Sequence, residues 1–230
     1  MKPLLHAIID DPSDDAARLV YSDWLKEHGQ EDRGEFIRVQ IELASLEAKD
    51  LARGWSSHFK HDDLQRRERD LLDKHGGAWI GPPTIGSIGQ ATLVSHGATI
   101  SFAIPGPLGG AVIPCEAGFS RGFIESISLP SSAFTRGAAI QLFSSHPITE
   151  VNVTDTLFVY DEIIDDNGRR CGWSWINPES HPWWQLDFSV SPGLYHSQEK
   201  ARKAMSYALV AMARTAAGLD PLPTPSLSTK

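Results

Sequence analysis

Leu4, Leu5, Ile8 and Ile9 recur at helical spacing, so the chain opens with a short amphipathic helix that ends near Asp10. In the following DPSD, Asp11 can cap a second helix, Pro12 takes its first position, and Asp14 falls at the third. Ala17, Val20, Tyr21, Trp24 and Leu25 form its apolar stripe, and Gly29 in EHGQ stops it. A third helix starts at DRGE, with Asp32 as cap and Glu35 three residues on. Its stripe is Phe36, Ile37, Val39, Gln40, Leu43 and Leu46, and it extends to about Asp50. ARGWSSH interrupts. A fourth helix from about His61 carries Leu64, Gln65, Glu68, Leu71 and Leu72 until KHGG closes it. These elements predict a compact antiparallel helical module anchored by Tyr21, Trp24 and Phe36.

Beyond it the periodicity changes. Pro82, Pro83 and the glycines of IGPPTIGSIGQ cannot sustain a helix, and the β-favouring pieces ATLVSHGATISFAI and GAVIP predict an inserted hairpin. GFIESISLP (122–130) reads as a strand. SSAFTRGAAIQLFSSH reads as a helix capped by Ser131 or Ser132, with Phe134, Ala138, Leu142 and Phe143 inward. PITEVNVTD (147–155) reads as a second strand. Ile124 and Val151 are 27 residues apart, within the period of leucine-rich-repeat-like strand–helix units. WWQLDFSV (183–190) is a further strand candidate, Asp166–Gly168 a hairpin tip, and the stretch from about Ser197 a terminal helix with Ala201, Ala204, Met205, Ala208, Leu209 and Met212 along one stripe. The fold class is therefore α+β or α/β. Residues 1–80 form the helical module, 81–118 a linker with a β-rich insertion, 119–218 a repeat-like strand–helix part, and 219–230 a disordered tail rich in Pro and Ser.

Charge narrows the partners. Residues 1–78 hold 12 Lys and Arg against 17 Asp and Glu, and residues 79–230 hold 9 against 12. Neither part offers the cationic surface that a phosphate backbone needs, so nucleic acid is a disfavoured partner. No apolar run is long enough for a membrane span, and the opening segment meets Asp10 and Asp11 too soon for a signal peptide. A cytoplasmic location is expected, with Cys115 and Cys171 as reduced thiols, since their spacing fits neither a zinc knuckle nor a redox pair.

Residues Asp14, Asp15, Arg18, Leu19, Val20, Tyr21, Asp23, Trp24, Leu25, Glu27, Arg33, Glu35, Phe36, Ile37, Arg38 and Gln40 together resemble the repeat-companion domain of planctomycetes and myxobacteria. Lys26 stands where that family commonly has an acid, and Gly34 where it commonly has alanine. The resemblance is strong over about 45 residues and continues loosely through LLDKHGGAWIG and GFIESISLP. It implies a module that accompanies leucine-rich or other repeats and carries no established activity.

Catalytic chemistry is poorly supplied. There is no GxSxG, Cys115 has no identifiable base, and His146, His181 and His196 read as residues beside proline, strand or helix. PGPLGG lacks the closing Gly-Lys-Ser/Thr of a phosphate loop. Asp161, Glu162, Asp165 and Asp166 could gather a hard cation but lack the calcium-loop spacing; His58, His61 and Asp62 lack further zinc ligands. No metal or other cofactor is expected.

Two features suit recognition. Trp173, Trp175, Trp183 and Trp184 crowd into twelve positions, where they serve as strand-layer core, as an interface patch, or as a cap on a repeat stack. Arg18, Asp23, Arg33, Glu35 and Arg38 form a charged set, with Asp14–Arg18 and Glu35–Arg38 at pairing distance along a helix. Tyr21, Asp23 and Trp24 read either as a ligand pocket or as an amphipathic stripe. The leading expectation is a non-enzymatic interaction or scaffold module with a protein partner. The alternative is a small metal-dependent hydrolase or nucleic-acid-processing accessory factor using the acidic 161–166 loop.

Overall fold

The computed structural model describes residues 2–53, 58–80, 94–96, 98–105, 112–130, 136–154, 158–160, 173–175, 195 and 197–223. Helices α1 (Lys2–Asp10), α2 (Asp15–Glu27), α3 (Glu31–Arg53) and α4 (His58–Trp79) come first. Strands β1 (Val94–His96), β2 (Thr99–Pro105), β3 (Val112–Ser120) and β4 (Phe123–Leu129) follow, then α5 (Arg136–Ser145) and β5 (Glu150–Val153). A separate pair, β6 (Phe158–Tyr160) and β7 (Trp173–Trp175), precedes the terminal helix α6 (Gln198–Ala216). The fold is mixed α+β, with N-terminal helices and a C-terminal strand–helix region.

The helix starts differ from the sequence reading. Asp14, not Asp11, caps α2: its carboxylate accepts from the Ala16 and Ala17 amides, while Asp11 turns the chain locally through Ser13. α3 begins one residue before Asp32, and α4 runs through both glycines of KHGG to Trp79. Gly29 does end α2, at φ +77°. Gly34 brings α2 and α3 together, since a Cβ there would lie 2.6 Å from the Ser22 carbonyl oxygen. Alanine at this position would force the two helices apart.

The main sheet has the order β1-β2-β3-β4-β5. Its first three pairings are antiparallel, and β4 and β5 run parallel. The parallel step across α5 is the expected strand–helix–strand unit, but it sets Val151 beside Ile127 rather than Ile124. Alternation makes the sheet two-faced. Ile100, Ala117, Ile127 and Val151 align across it on the buried side, and Ser101, Glu116, Ser128 and Asn152 align on the other. The buried face joins one core with Phe36, Leu71, Leu72, Leu142, Phe143 and the α6 residues Met205, Leu209 and Met212. The helical module and the strand–helix part thus share an interior.

The β3–β4 pairing shifts register at Gly118/Phe119, just before the β3–β4 turn. Cys115, Ala117 and Phe119 keep the alternation of β3 into the large core, while on β4 the skipped Glu125 lets Ile124 join that core with Ile127 and sends Phe123 into a second cluster with Ile8, Tyr21, Leu25 and Ile37. The turn itself is Arg121–Gly122, both at positive φ. A Cβ on Gly122 would collide with the Ile37 side chain, so the turn is pressed against α3 where only glycine fits.

The C-terminal end is also tied in. Ser197 caps α6. Arg214, fully buried, donates to the Ile9 and Asp220 carbonyls, and Leu219 and Leu222 pack on the core. The rest of the segment expected to be a tail, 224–230, lies outside the described residues.

Candidate functional site

The charged set falls into two neighbourhoods on either side of α3. On one side the buried face of α2 is Arg18, Tyr21, Ser22 and Leu25, not the stripe through Val20, which is exposed. The face is turned because polar groups there meet the hairpin. Arg18 Nη1 donates to the Ser120 and Arg121 carbonyls at 3.2 and 3.0 Å. Its Nη2 donates to the Pro12 carbonyl at 2.6 Å and to Glu125 Oε1 at 2.7 Å. Arg18 therefore pairs with Glu125, 107 residues away, instead of with Asp14. Burial pushes the Glu125 pKa up, and Arg18 opposes that rise.

Gln40 completes this clamp. Its amide nitrogen donates to Glu68 Oε1 at 2.8 Å and to the Phe119 carbonyl at 3.3 Å, and its oxygen accepts from the Gly122 amide at 2.5 Å. One buried side chain thereby joins α3, α4, β3 and the β3–β4 turn. Burial raises the Glu68 pKa, with the Gln40 bond opposing.

Asp23 and Glu35 also find partners other than the expected ones. Arg38 pairs with Asp23 on α2 and donates to Ser22 Oγ, and Ser22 donates to the Gly34 carbonyl. Glu35 takes a two-pronged bond from Arg67 on α4, at 2.7 and 2.6 Å, which lowers its pKa. These links cross between helices instead of running along one. Tyr21, Asp23 and Trp24 form no pocket: Tyr21 is buried, Trp24 stacks on Tyr21 and His28, and Asp23 is an exposed ion-pair member.

Arg33 stands apart. Its guanidinium lies 4.7 Å from the Trp79 ring, 5.3 Å from Phe123 and 5.6 Å from Phe36. Its Nη1 is buried without a hydrogen-bond partner, and no ion pair reaches it among the described residues. Desolvation lowers its pKa to about 10, so it stays charged at neutral pH. His146, at the end of α5, is buried close enough to feel that charge. It bonds the Ile80 backbone and leaves Nδ1 unpartnered. Burial first and Arg33 second bring its pKa down to about 3, so the ring is neutral.

A cavity of about 400 Å³ opens beside Arg33, lined by Gly29, Gln30, Glu31, Asp32, Arg33, His75 and Trp79. His75 stacks on Trp79 at 5.2 Å, and Trp79 packs on Phe36 at 4.8 Å. Asp32 is held by Lys74 at 2.7 Å and His75 at 2.6 Å, in that order the main reasons that its pKa falls to about 2. The first turn of α3 forms one wall of the cavity, placing the positive end of a helix there.

Of the tryptophan cluster, Trp173 and Trp175 lie on β7, paired with Tyr160 and Phe158 of β6. Trp183 and Trp184, the acidic 161–166 loop, the Asp166–Gly168 turn, the 183–190 strand candidate, His181, His196 and Cys171 lie outside the described residues. Cys115 is a buried thiol whose pKa burial pushes up to about 11. Among the described residues no group of three or more His, Cys, Asp or Glu could hold a metal ion; His61 instead faces Glu47. No helix there is long and apolar enough to cross a membrane. No family model matches the chain, and no curated protein or solved structure does.

Sequence reasoning singled out Arg33 but missed Trp79, His75 and His146. His75 and Trp79 are four residues apart, so helical spacing puts them on one face once α4 is allowed to pass the two glycines. His146 gives no local signal, because its burial comes from residues far away in the chain.

Proposed function

We propose that the chain is a non-enzymatic protein-interaction or scaffold module acting in the cytoplasm. Residues 1–80 are its companion module, and 119–218 a short leucine-rich-repeat-like part. The observation that carries this reading is the cavity beside Arg33, where a half-buried cation, its Nη1 without a hydrogen-bond partner among the described residues, adjoins the half-buried Trp79–His75 stack. Arginine and tryptophan dominate the energetic centres of protein interfaces because they combine large apolar area with directional polar bonds. The parallel β4–α5–β5 step supports the repeat-like assignment. Trp173, Trp175, Trp183 and Trp184 form a second contact area in this proposal, on and after β7.

A photo-crosslinking residue at Gln30, on the cavity rim, tests the reading in the native host. A discrete protein adduct, absent from the same probe at exposed Lys200 on α6 and lost in Arg33→Met, is the expected result. Equal adducts from both positions, or adducts indifferent to Arg33, would overturn it. Trp173→Ala with Trp175→Ala should weaken capture without unfolding the protein, and unchanged capture removes the second contact area.

A further inference from the structure

Resting on that interaction reading, we infer that the cavity at the α2–α3 turn binds a peptide carboxylate, with Arg33 as its counter-ion and the Trp79–His75 stack receiving the apolar side chain beside it. The other charges around the cavity leave this role to Arg33. Asp32 is occupied by Lys74 and His75, Glu35 by both prongs of Arg67, and Glu31 is exposed on the rim. Among the described residues Arg33 Nη1 has no acceptor, and a guanidinium offers five donors in a planar fork that matches a carboxylate.

The surroundings favour a carboxylate over other ligands. A cation would meet Arg33 with no free carboxylate except Glu31. A dianionic phosphate would face both Glu31 and Asp32 across a small space, whereas a monoanion gains the same fork with less repulsion. The first intrahelical bond of α3 runs from the Gly34 amide to the Gln30 carbonyl, so the Glu31, Asp32 and Arg33 amides precede it at the positive helix end. About 400 Å³ suffices for a carboxylate with one adjoining aromatic side chain. The carboxylate can come from a chain terminus or from an Asp or Glu side chain.

Three peptides separate these cases on the purified full chain: acetyl-Ala-Ala-Phe as the free acid, the same peptide as its amide, and acetyl-Ala-Asp-Phe-amide. Binding is followed through the amide resonances of Glu31, Asp32 and Arg33 and the Trp79 indole N–H. The free acid should saturate these signals and bind at least about tenfold tighter than the amide, as one charge-assisted contact provides. If the Asp peptide matches the free acid, side-chain carboxylates are accepted; if it behaves like the amide, the site takes chain ends. Arg33→Met should equalise acid and amide, and Gln30→Trp, placed on an exposed rim position, should abolish binding of both. Equal binding of acid and amide, a preference that survives Arg33→Met, or no binding of any peptide overturns the inference. Peptide binding without partner capture would sink the interaction reading alone, and capture without carboxylate preference would sink this inference alone.

Discussion

Arg18 at the hairpin clamp and Arg33 at the α2–α3 turn are both cations drawn out of water, fifteen positions apart on neighbouring helices. Arg18 meets four oxygens from three segments of the chain, one of them the Glu125 carboxylate. Arg33 meets three aromatic rings, and among the described residues its Nη1 finds no oxygen. Ring faces recover part of the lost hydration of a cation, by about 0.5–2 kcal/mol at each good contact. They satisfy none of its N–H donors. The first arginine commits both terminal nitrogens to the architecture and leaves only Nε unpartnered, whereas the second has its Nη1 unpartnered beside a cavity.

Replacing each arginine by methionine tests that contrast most strongly. Arg18→Met removes one member of a buried ion pair and strands the Glu125 carboxylate with three carbonyls, so it should cost about 3–5 kcal/mol in denaturant unfolding. Arg33→Met removes a charge that has no partner and keeps an apolar side chain of similar length against the rings. Its stability should stay within about 1 kcal/mol of the parent. Equal losses would mean that both arginines are structural.

His146 sharpens the comparison through pH. Its folded pKa, about 3, lies below the ordinary value of 6.5, because burial and Arg33 disfavour the imidazolium. The unfolded chain takes up a proton that the folded chain refuses. The stabilisation is therefore present above pH 6.5 and is lost as pH falls towards 3, by up to about 1.4 kcal/mol per pH unit. Unfolding curves between pH 7 and 4 should show this slope, flatter in His146→Phe. In Arg33→Met the His146 pKa should rise; an unmoved histidine would break the proposed coupling.

Asp32, in the lining of the cavity, makes a smaller effect. Its carboxylate titrates at about 2, below the usual 3.8, so its bonds to Lys74 and His75 stabilise the protein above pH 3.8 and fade as pH drops through 2. The melting temperature of Asp32→Asn should lie below the parent's at pH 6 and converge with it near pH 2. A gap that persists at pH 2 would assign the effect to shape and not to charge. The Asp23–Arg38 pair is the smallest case. Both groups are exposed, so Asp23→Ala should cost only about 0.2–1 kcal/mol and less in high salt, as measured by chemical denaturation.

The elements written in local chemistry were legible. Period 3.6 in LLHAIID and in the α6 segment, Gly29 as a helix stop, and alternation in GFIESISLP each reflect a preference decided within a few residues. The errors came where a distant partner outweighed the local signal. Gly76 and Gly77 read as a helix end, yet α4 continues because its last turn packs Trp79 on Phe36. Val20 read as core and Arg18 as a partner of Asp14 along the helix, but the hairpin supplies oxygens for the arginine and turns the valine outward.

The sequence by itself determined the helical start and the strand–helix–strand step. Only the tertiary structure decided what their residues do. Hydrophobic spacing fixes which face of an element is buried, but not which distant group will meet each polar atom on that face. Gln40 became a bridge and Arg18 a clamp because the β3–β4 turn arrived with matching carbonyls and an amide. Arg33 Nη1 was left without a partner among the described residues because the groups around it are rings and Asp32 and Glu35 already had cations of their own.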